Sequence, residues 1–481
     1  MNMLKLLVLA LLGGCASLSH HLEAPSAQVR GCAQWYEALD RATDDARVRD
    51  AQYARIPGYP YFRVDRTLAA LRTRAGQDPR ALQAFAERLA ELDLDARRYE
   101  ILNLPHSHAD ALQRTADCSR MLRERDLATP EAREALLERA RVPDDYSLAA
   151  RALGLYPLTR LVFAAGVRRW EKQALETFNS WEPRQGGVRY APPPAQPLSR
   201  PMIGGLLARA QFDPLGMSVL SEPELVRLAA VYAPSFEVRI EGDHDRFGEM
   251  RWRRDGEVPE VNPSELAVYV QAAHTRYRDR MLLQLVYTIW FPERPRLAPL
   301  DLLAGRLDGI VWRVTLAPDG EPLLYDSIHP CGCYHEFFPT PRARPLEPPD
   351  RLEEWAFVPQ RLPRVAEGER PVLSLASGTH YIEQVSLVRG SDSLTRYALR
   401  RYDELRSLPR PDGGRRSVFG PDGLIAGSER AERFFFWPIG IASAGAMRQW
   451  GRHATAFVGR RHFDDADLIE RRFELELAEA P

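Results

Sequence analysis

The sequence predicts an α+β fold, an N-terminal helical bundle-like region followed by a mainly antiparallel β domain with a few helices. Two observations predict it. From about residue 30 to 230 apolar side chains recur at three- and four-residue steps, whereas beyond 235 they come in runs of strand length. A proline-rich stretch at 191–197 also reads as an extended linker.

In the first region Leu82, Phe85, Leu89 and Leu92 form one stripe, with Arg88, Glu91 and Asp95 on other faces, the pattern of a helix packed on one side. Similar stripes cover roughly 32–52, 64–76, 107–125, 130–141 and 158–180. Ser221-Glu222-Pro223-Glu224 combines an N-cap, an early proline and a glutamate three residues on, so it starts another helix, which ends near Pro234. The expected division is therefore a helical domain over 30–234 and a β-rich domain over 235–481.

In the second region Asn262-Pro263-Ser264-Glu265 could cap a helix carrying Leu266, Val270 and His274 on one face. Residues 282–291 are a continuous apolar strand, and 309–316 and 322–328 are two more, joined by the hairpin signal Asp319-Gly320. Further strands are expected at 372–375, 380–388, 397–402 and 454–459, with long loops at 339–349 and 409–414.

With 481 residues, 45% hydrophobic and 27% charged, the chain is neither disordered nor polytopic in composition. A net charge of -1 removes the broad attraction to phosphate that nucleic-acid binding needs. Lys5 and Lys172 are the only lysines among 65 basic residues, a usage bias without functional weight.

The amino terminus carries an address. Lys5 precedes an apolar run from Leu6 to Leu12. That run is too short to span a bilayer, which takes about 20 residues, and is of the length of a signal h-region. The following Leu12-Gly13-Gly14-Cys15 resembles the lipobox of bacterial lipoproteins. The resemblance, confined to residues 1–15, implies a signal peptide over 1–14, cleavage before Cys15, acylation of Cys15 (palmitate among the acyl groups), and a tether over 15–29. Ala16 and Ser17 lack an inner-membrane retention acid, so the implied location is the inner leaflet of the outer membrane, facing the periplasm. No later segment is long and apolar enough to span, so the membrane attachment falls to the anchor.

Setting Cys15 apart from the five cysteines leaves four, in a compartment that permits disulfides. Cys32–Cys118 is the favoured pairing, both residues lying in the helical region. Cys331 and Cys333 then remain as a local unit within His329-Pro330-Cys331-Gly332-Cys333-Tyr334-His335-Glu336, the densest group of reactive side chains.

Two imidazoles and two thiols suit zinc or another thiophilic metal. In an extended segment such ligands stand about 6.6 Å apart, so a metal site needs a sharp turn at Pro330 and Gly332 and further ligands such as His274 or His380. Alternatives are a Cys331–Cys333 clasp, or histidines that only cap strand ends. Asp326, Glu336 and Glu383 are the candidate general bases. Closely spaced Trp, Arg and His residues from Trp437 to His462 could bind glycan or phosphate, or pack as core. The leading expectation is an envelope lipoprotein that binds or scaffolds glycan, lipid or a partner protein. The alternative is a metal-dependent hydrolase centred on 329–336.

Overall fold

The computed structural model describes residues 26–106, 109–183, 187–194, 196, 198–390 and 395–477. The signal segment, Cys15 and the tether up to residue 25 lie outside the described residues.

The chain begins with helices and ends with sheets, an α+β fold. Helix α1 (Ala27–Asp45) leads to a hairpin of β1 (Ala54–Ile56) and β2 (Tyr59–Val64), then α2 (Arg66–Gln77), α3 (Pro79–Asn103), α4 (Ala111–Asp126) and α5 (Pro130–Arg139). Local chemistry sets the starts. The Asp65 carboxylate accepts from the Leu68 amide at 2.7 Å, and Asp78 caps α3 just ahead of Pro79. Cys32 of α1 and Cys118 of α4 are joined by a disulfide. Beside it, Tyr36, Tyr61, Phe85 and Leu122 are fully buried in one core.

Helices α6 (Leu148–Leu153) and α7 (Tyr156–Asn179) follow, then β3 (Gly187–Tyr190), α8 (Arg200–Ala208) and α9 (Glu222–Tyr232). The capping box expected for α9 is formed, with Glu224 accepting from the Ser221 amide at 2.8 Å.

Two sheets pack over one another. The larger runs β11-β10-β9-β8-β7-β15, built from β7 (Ala267–Tyr277), β8 (Arg280–Arg294), β9 (Gly305–Leu316), β10 (Pro322–Ile328), β11 (Glu336–Pro339) and β15 (Ala398–Arg401). The smaller runs β14-β13-β4-β3, with β4 (Ser235–Arg239), β13 (Glu369–Leu375) and β14 (Ile382–Arg389). Tyr287, Phe291 and Trp312 of the large sheet meet Phe236 and Leu373 of the small one, with Phe178 and Leu228 from α7 and α9. That core draws on both sides of residue 235. The opposite face of the large sheet buries Trp290 and Leu307 under Tyr402, Phe419 and Met447 of the C-terminal segment.

The 319–320 turn joins β9 to β10 as expected, with Gly320 at φ 80. Two expectations are corrected. The helix over 262–274 is instead strand β7, and His274 stands on it opposite Leu283. Its residues Val268, Tyr269 and Val270 favour strand, and pairing with the apolar β8 outweighs the local capping signal. Residues 454–459 form no strand and touch the ladder pattern only through an Ala454–His462 bridge. Among the described residues no helix is long and apolar enough to cross a membrane.

Candidate functional site

The turn between β10 and β11 carries the 329–336 segment, and its backbone is tightly specified. The His329 amide bonds the Cys333 carbonyl at 3.0 Å and the Gly332 amide bonds the His329 carbonyl at 2.8 Å. Gly332 has φ 90, and a Cβ there would stand 2.5 Å from the Ala454 carbonyl oxygen, so only glycine fits.

This turn sends its two histidines to opposite faces of the large sheet. Asp308 and Arg313 are both on β9, and an odd separation in a regularly paired strand puts them on opposite faces. His329 Nδ1 bonds Asp308 Oδ1 at 3.1 Å on one face. On the other, His335 Nε2 bonds Asp326 Oδ2 at 3.0 Å, while Arg313 grips both Asp326 oxygens at 2.9 and 2.5 Å. The proximity of the two imidazoles in sequence is thus undone by the pleat.

The remaining expected ligands are also dispersed. His274 Nε2 bonds the Ser218 carbonyl at 3.1 Å, and burial lowers its pKa to about 4. Glu383 is committed to Arg239 at 3.0 Å. Asp326 is saturated by Arg313 and His335, and burial alone raises Glu336 well above the carboxylate range. Among the described residues no three His, Cys, Asp or Glu side chains are arranged to hold a metal ion. The candidate ligands thus lie apart, with His329 and His335 in separate clusters on opposite faces of the sheet and His274 in neither.

His380 does join His329. Its Nδ1 bonds the second Asp308 oxygen at 2.9 Å, and its Nε2 faces the His244 carbonyl at 3.2 Å and Asp245 Oδ1 at 3.5 Å. Asp245 is fixed in turn by the Gly378 amide at 2.7 Å and the Ser377 hydroxyl at 2.8 Å. The result is a buried chain, Asp245, His380, Asp308 and His329, alternating carboxylate and imidazole.

Burial opposes charge on His380, but its bonds to Asp245 and Asp308 prevail and raise its pKa. Burial would likewise raise Asp308, yet the imidazoles that bond it hold it well below the usual carboxylate range. His329 is lowered by burial, beyond what Asp308 restores, and is neutral. Because an ionised Asp308 can only accept, the His329 proton sits on Nδ1 and Nε2 keeps its lone pair.

His329 lines a narrow crevice with Arg294, Cys331, Cys333, Tyr334 and Glu432. The two thiols hydrogen-bond each other, which together with burial raises Cys333 well above its ordinary pKa. Such a thiol is a poor nucleophile. Burial lifts the Glu432 carboxyl to about 7. Arg294 is 6% exposed, reaches only the Tyr381 hydroxyl at 3.3 Å and the Thr379 carbonyl at 3.4 Å, and has a buried Nε without a partner. Among the described residues no carboxylate lies within ion-pair distance of it. Larger hollows, such as the one lined by Arg251, Arg253 and Glu260, gather no imidazole or thiol.

Leu307, Tyr334 and His380, at φ 57, 60 and 56, hold left-handed backbone beside this crevice. Each such residue costs on the order of 1–3 kcal/mol and clusters where geometry serves function. Sequence reasoning named His329 and His380 but missed Asp308, Asp245, Arg294 and Glu432. The available signal for Asp308 was a lone carboxylate inside an otherwise buried strand.

No family model, curated protein or solved structure matches the chain.

Proposed function

We propose that the protein is an envelope-anchored enzyme that runs general acid–base chemistry at His329, in its simplest form the hydrolysis of a small ester or amide bearing an anionic group. The lipobox reading places it at the periplasmic side of the outer membrane, held through Cys15. The observation that carries the reading is the neutral His329, oriented by Asp308, beside a buried Arg294 that lacks a carboxylate partner.

The chemistry follows from the protonation states. His329 Nε2 takes a proton from water as the water attacks, and the Asp308 carboxylate stabilises the imidazolium that forms. His380, its pKa raised by its bonds to Asp245 and Asp308, holds that carboxylate ionised and oriented. Arg294 supplies the fixed positive charge for the substrate's anionic group. Glu432, protonated up to about pH 7, can return a proton to the leaving group.

A panel of p-nitrophenyl esters and p-nitrophenyl phosphate tests this. Turnover rises as His329 loses its proton below pH 6.5 and falls near 7 as Glu432 ionises. His329→Asn lowers kcat by roughly 10²–10⁴-fold, and Glu432→Gln lowers the rate and removes the alkaline limb. Turnover by His329→Asn equal to wild type sinks the proposal, as does wild type that turns over no probe.

A further inference from the structure

Helix α7 exposes what an ordinary surface helix would bury. Only Ala164 and Phe178 of its residues are buried, although its first half is mostly apolar. Leu158, Leu161 and Val162, at 66, 56 and 72% exposed, stand at the spacing of one helical face with the exposed Ala165. The same face continues into exposed Arg168, Arg169 and Lys172. The opposite face is the packed one, where Trp170 meets Tyr334 with ring centroids 5.2 Å apart.

A second element completes the patch. Helix α10 (Arg433–Phe436) and the turn after it lie against α6 and α7, with Phe163 and Phe436 rings 5.9 Å apart and the Gly154 backbone against Pro438. Phe434, Phe435 and Trp437 are 66, 59 and 44% exposed there. Arg433 lies 4.8 Å from the Phe434 ring. Adjoining helices thus turn leucines and aromatic rings to solvent, with arginines and a lysine beside them. Exposed apolar surface of this kind marks an interaction site.

We propose that this face docks on a phospholipid bilayer with anionic headgroups, the apolar residues entering the interface and the basic residues meeting phosphate. Phe and Leu on one stripe with Arg and Lys alongside is the composition of interfacial helices, and Trp favours the headgroup level. The lipobox reading, on which the choice of occupant rests, puts a bilayer within reach: ten residues lie between Cys15 and Ser26, and an extended chain covers about 3.3–3.6 Å per residue. Docking also orients the site, because α7 touches Tyr334 of the crevice through Trp170.

The test uses the chain from residue 15 onward, without the 1–14 leader and with Cys15→Ser to remove the acylation site, in flotation with vesicles of phosphatidylethanolamine and phosphatidylglycerol. The parent chain floats with the vesicles. Adding Leu158→Asp, Val162→Asp and Phe435→Asp together lowers partitioning about tenfold or more while the thermal midpoint stays unchanged, as these side chains are exposed. Equal flotation of the two chains overturns the proposal. So does a vesicle-free, concentration-dependent dimer that the triple variant abolishes, because the face would then belong to a second copy. Neither outcome touches the acid–base reading, which is read by turnover of soluble probes.

Discussion

Two buried ionic clusters in this molecule use the same residue types to opposite ends. In the helical region Arg63 pairs with Asp93 at 3.1 Å and Glu100 at 2.7 Å, and Arg97 pairs with Glu100 at 3.0 Å and Asp40 at 2.7 Å. Burial works against ionisation of Glu100, yet Arg63, Arg97 and Arg55 hold it at about 2. Every guanidinium there meets carboxylates, and the cluster closes on itself. At the crevice Asp308 is bonded by two imidazoles, with Arg430 at 3.7 Å, while Arg294 has no carboxylate within ion-pair distance among the described residues. A closed network ties α1, β1, β2 and α3 together. An open one keeps charge ready for something that is not part of the chain.

The largest test of that contrast removes a partner from the closed cluster. Glu100→Ala leaves Arg63 and Arg97 buried without their shared carboxylate and should cost about 3–5 kcal/mol in urea unfolding, with the pH profile of the crevice unchanged in shape. A loss below 1 kcal/mol would mean that the cluster is not the tie proposed here.

A smaller effect belongs to the imidazoles that burial keeps neutral. Burial depresses His335 to about 3 and His274 to about 4 in the folded protein, against 6.5 when exposed. Above pH 6.5 both are neutral whether folded or unfolded and stability is complete. As pH falls below 6.5 the unfolded chain takes up protons that the folded one refuses, and stability drops. At pH 5 the loss is about 2 kcal/mol for each, and His335→Gln should reduce the acid sensitivity in thermal melts. An unchanged pH dependence in that variant would contradict the assignment.

The smallest effect on stability should come from the open cluster. Arg294→Met keeps the volume and removes a buried charge held by no ion pair, only by bonds to Tyr381 and Thr379 and by the Tyr381 ring, so stability falls by about 1 kcal/mol or less, while turnover of anionic probes falls. A strongly destabilised Arg294→Met protein would make Arg294 part of the scaffold instead.

Much of the helical region was legible because its signals are local. The Ser221–Glu224 box with its early Pro223 and the i, i+3, i+4 stripes depend on residues within one or two turns. The Asp319-Gly320 turn was legible for the same reason. His274 was not. Its segment carried both a helix cap and a β-rich composition, and the choice was made by β8, whose apolar residues needed a paired neighbour.

The site was legible only by halves. The 329–336 segment showed where reactive side chains gather, but its apparent unity came from proximity in sequence. The pleat of the sheet divides it, because Asp308 and Asp326 reach opposite faces. The exposed face of α7 was hidden differently: its helical period was plain, yet nothing local says that the apolar half of a stripe is left uncovered. The sequence assigns all membrane attachment to Cys15, and docking through α7 would add a second contact.

By itself the sequence determined the class of fold, most helices of the first region and the lipobox resemblance, all of which rest on neighbours along the chain. The tertiary structure decided which charges are paired. Asp308 finds His329 21 residues away and His380 72 residues away, and Arg294 finds no carboxylate at all among the described residues. Such balances are set by burial and by which strands become neighbours, and neither is a property of any short stretch of chain.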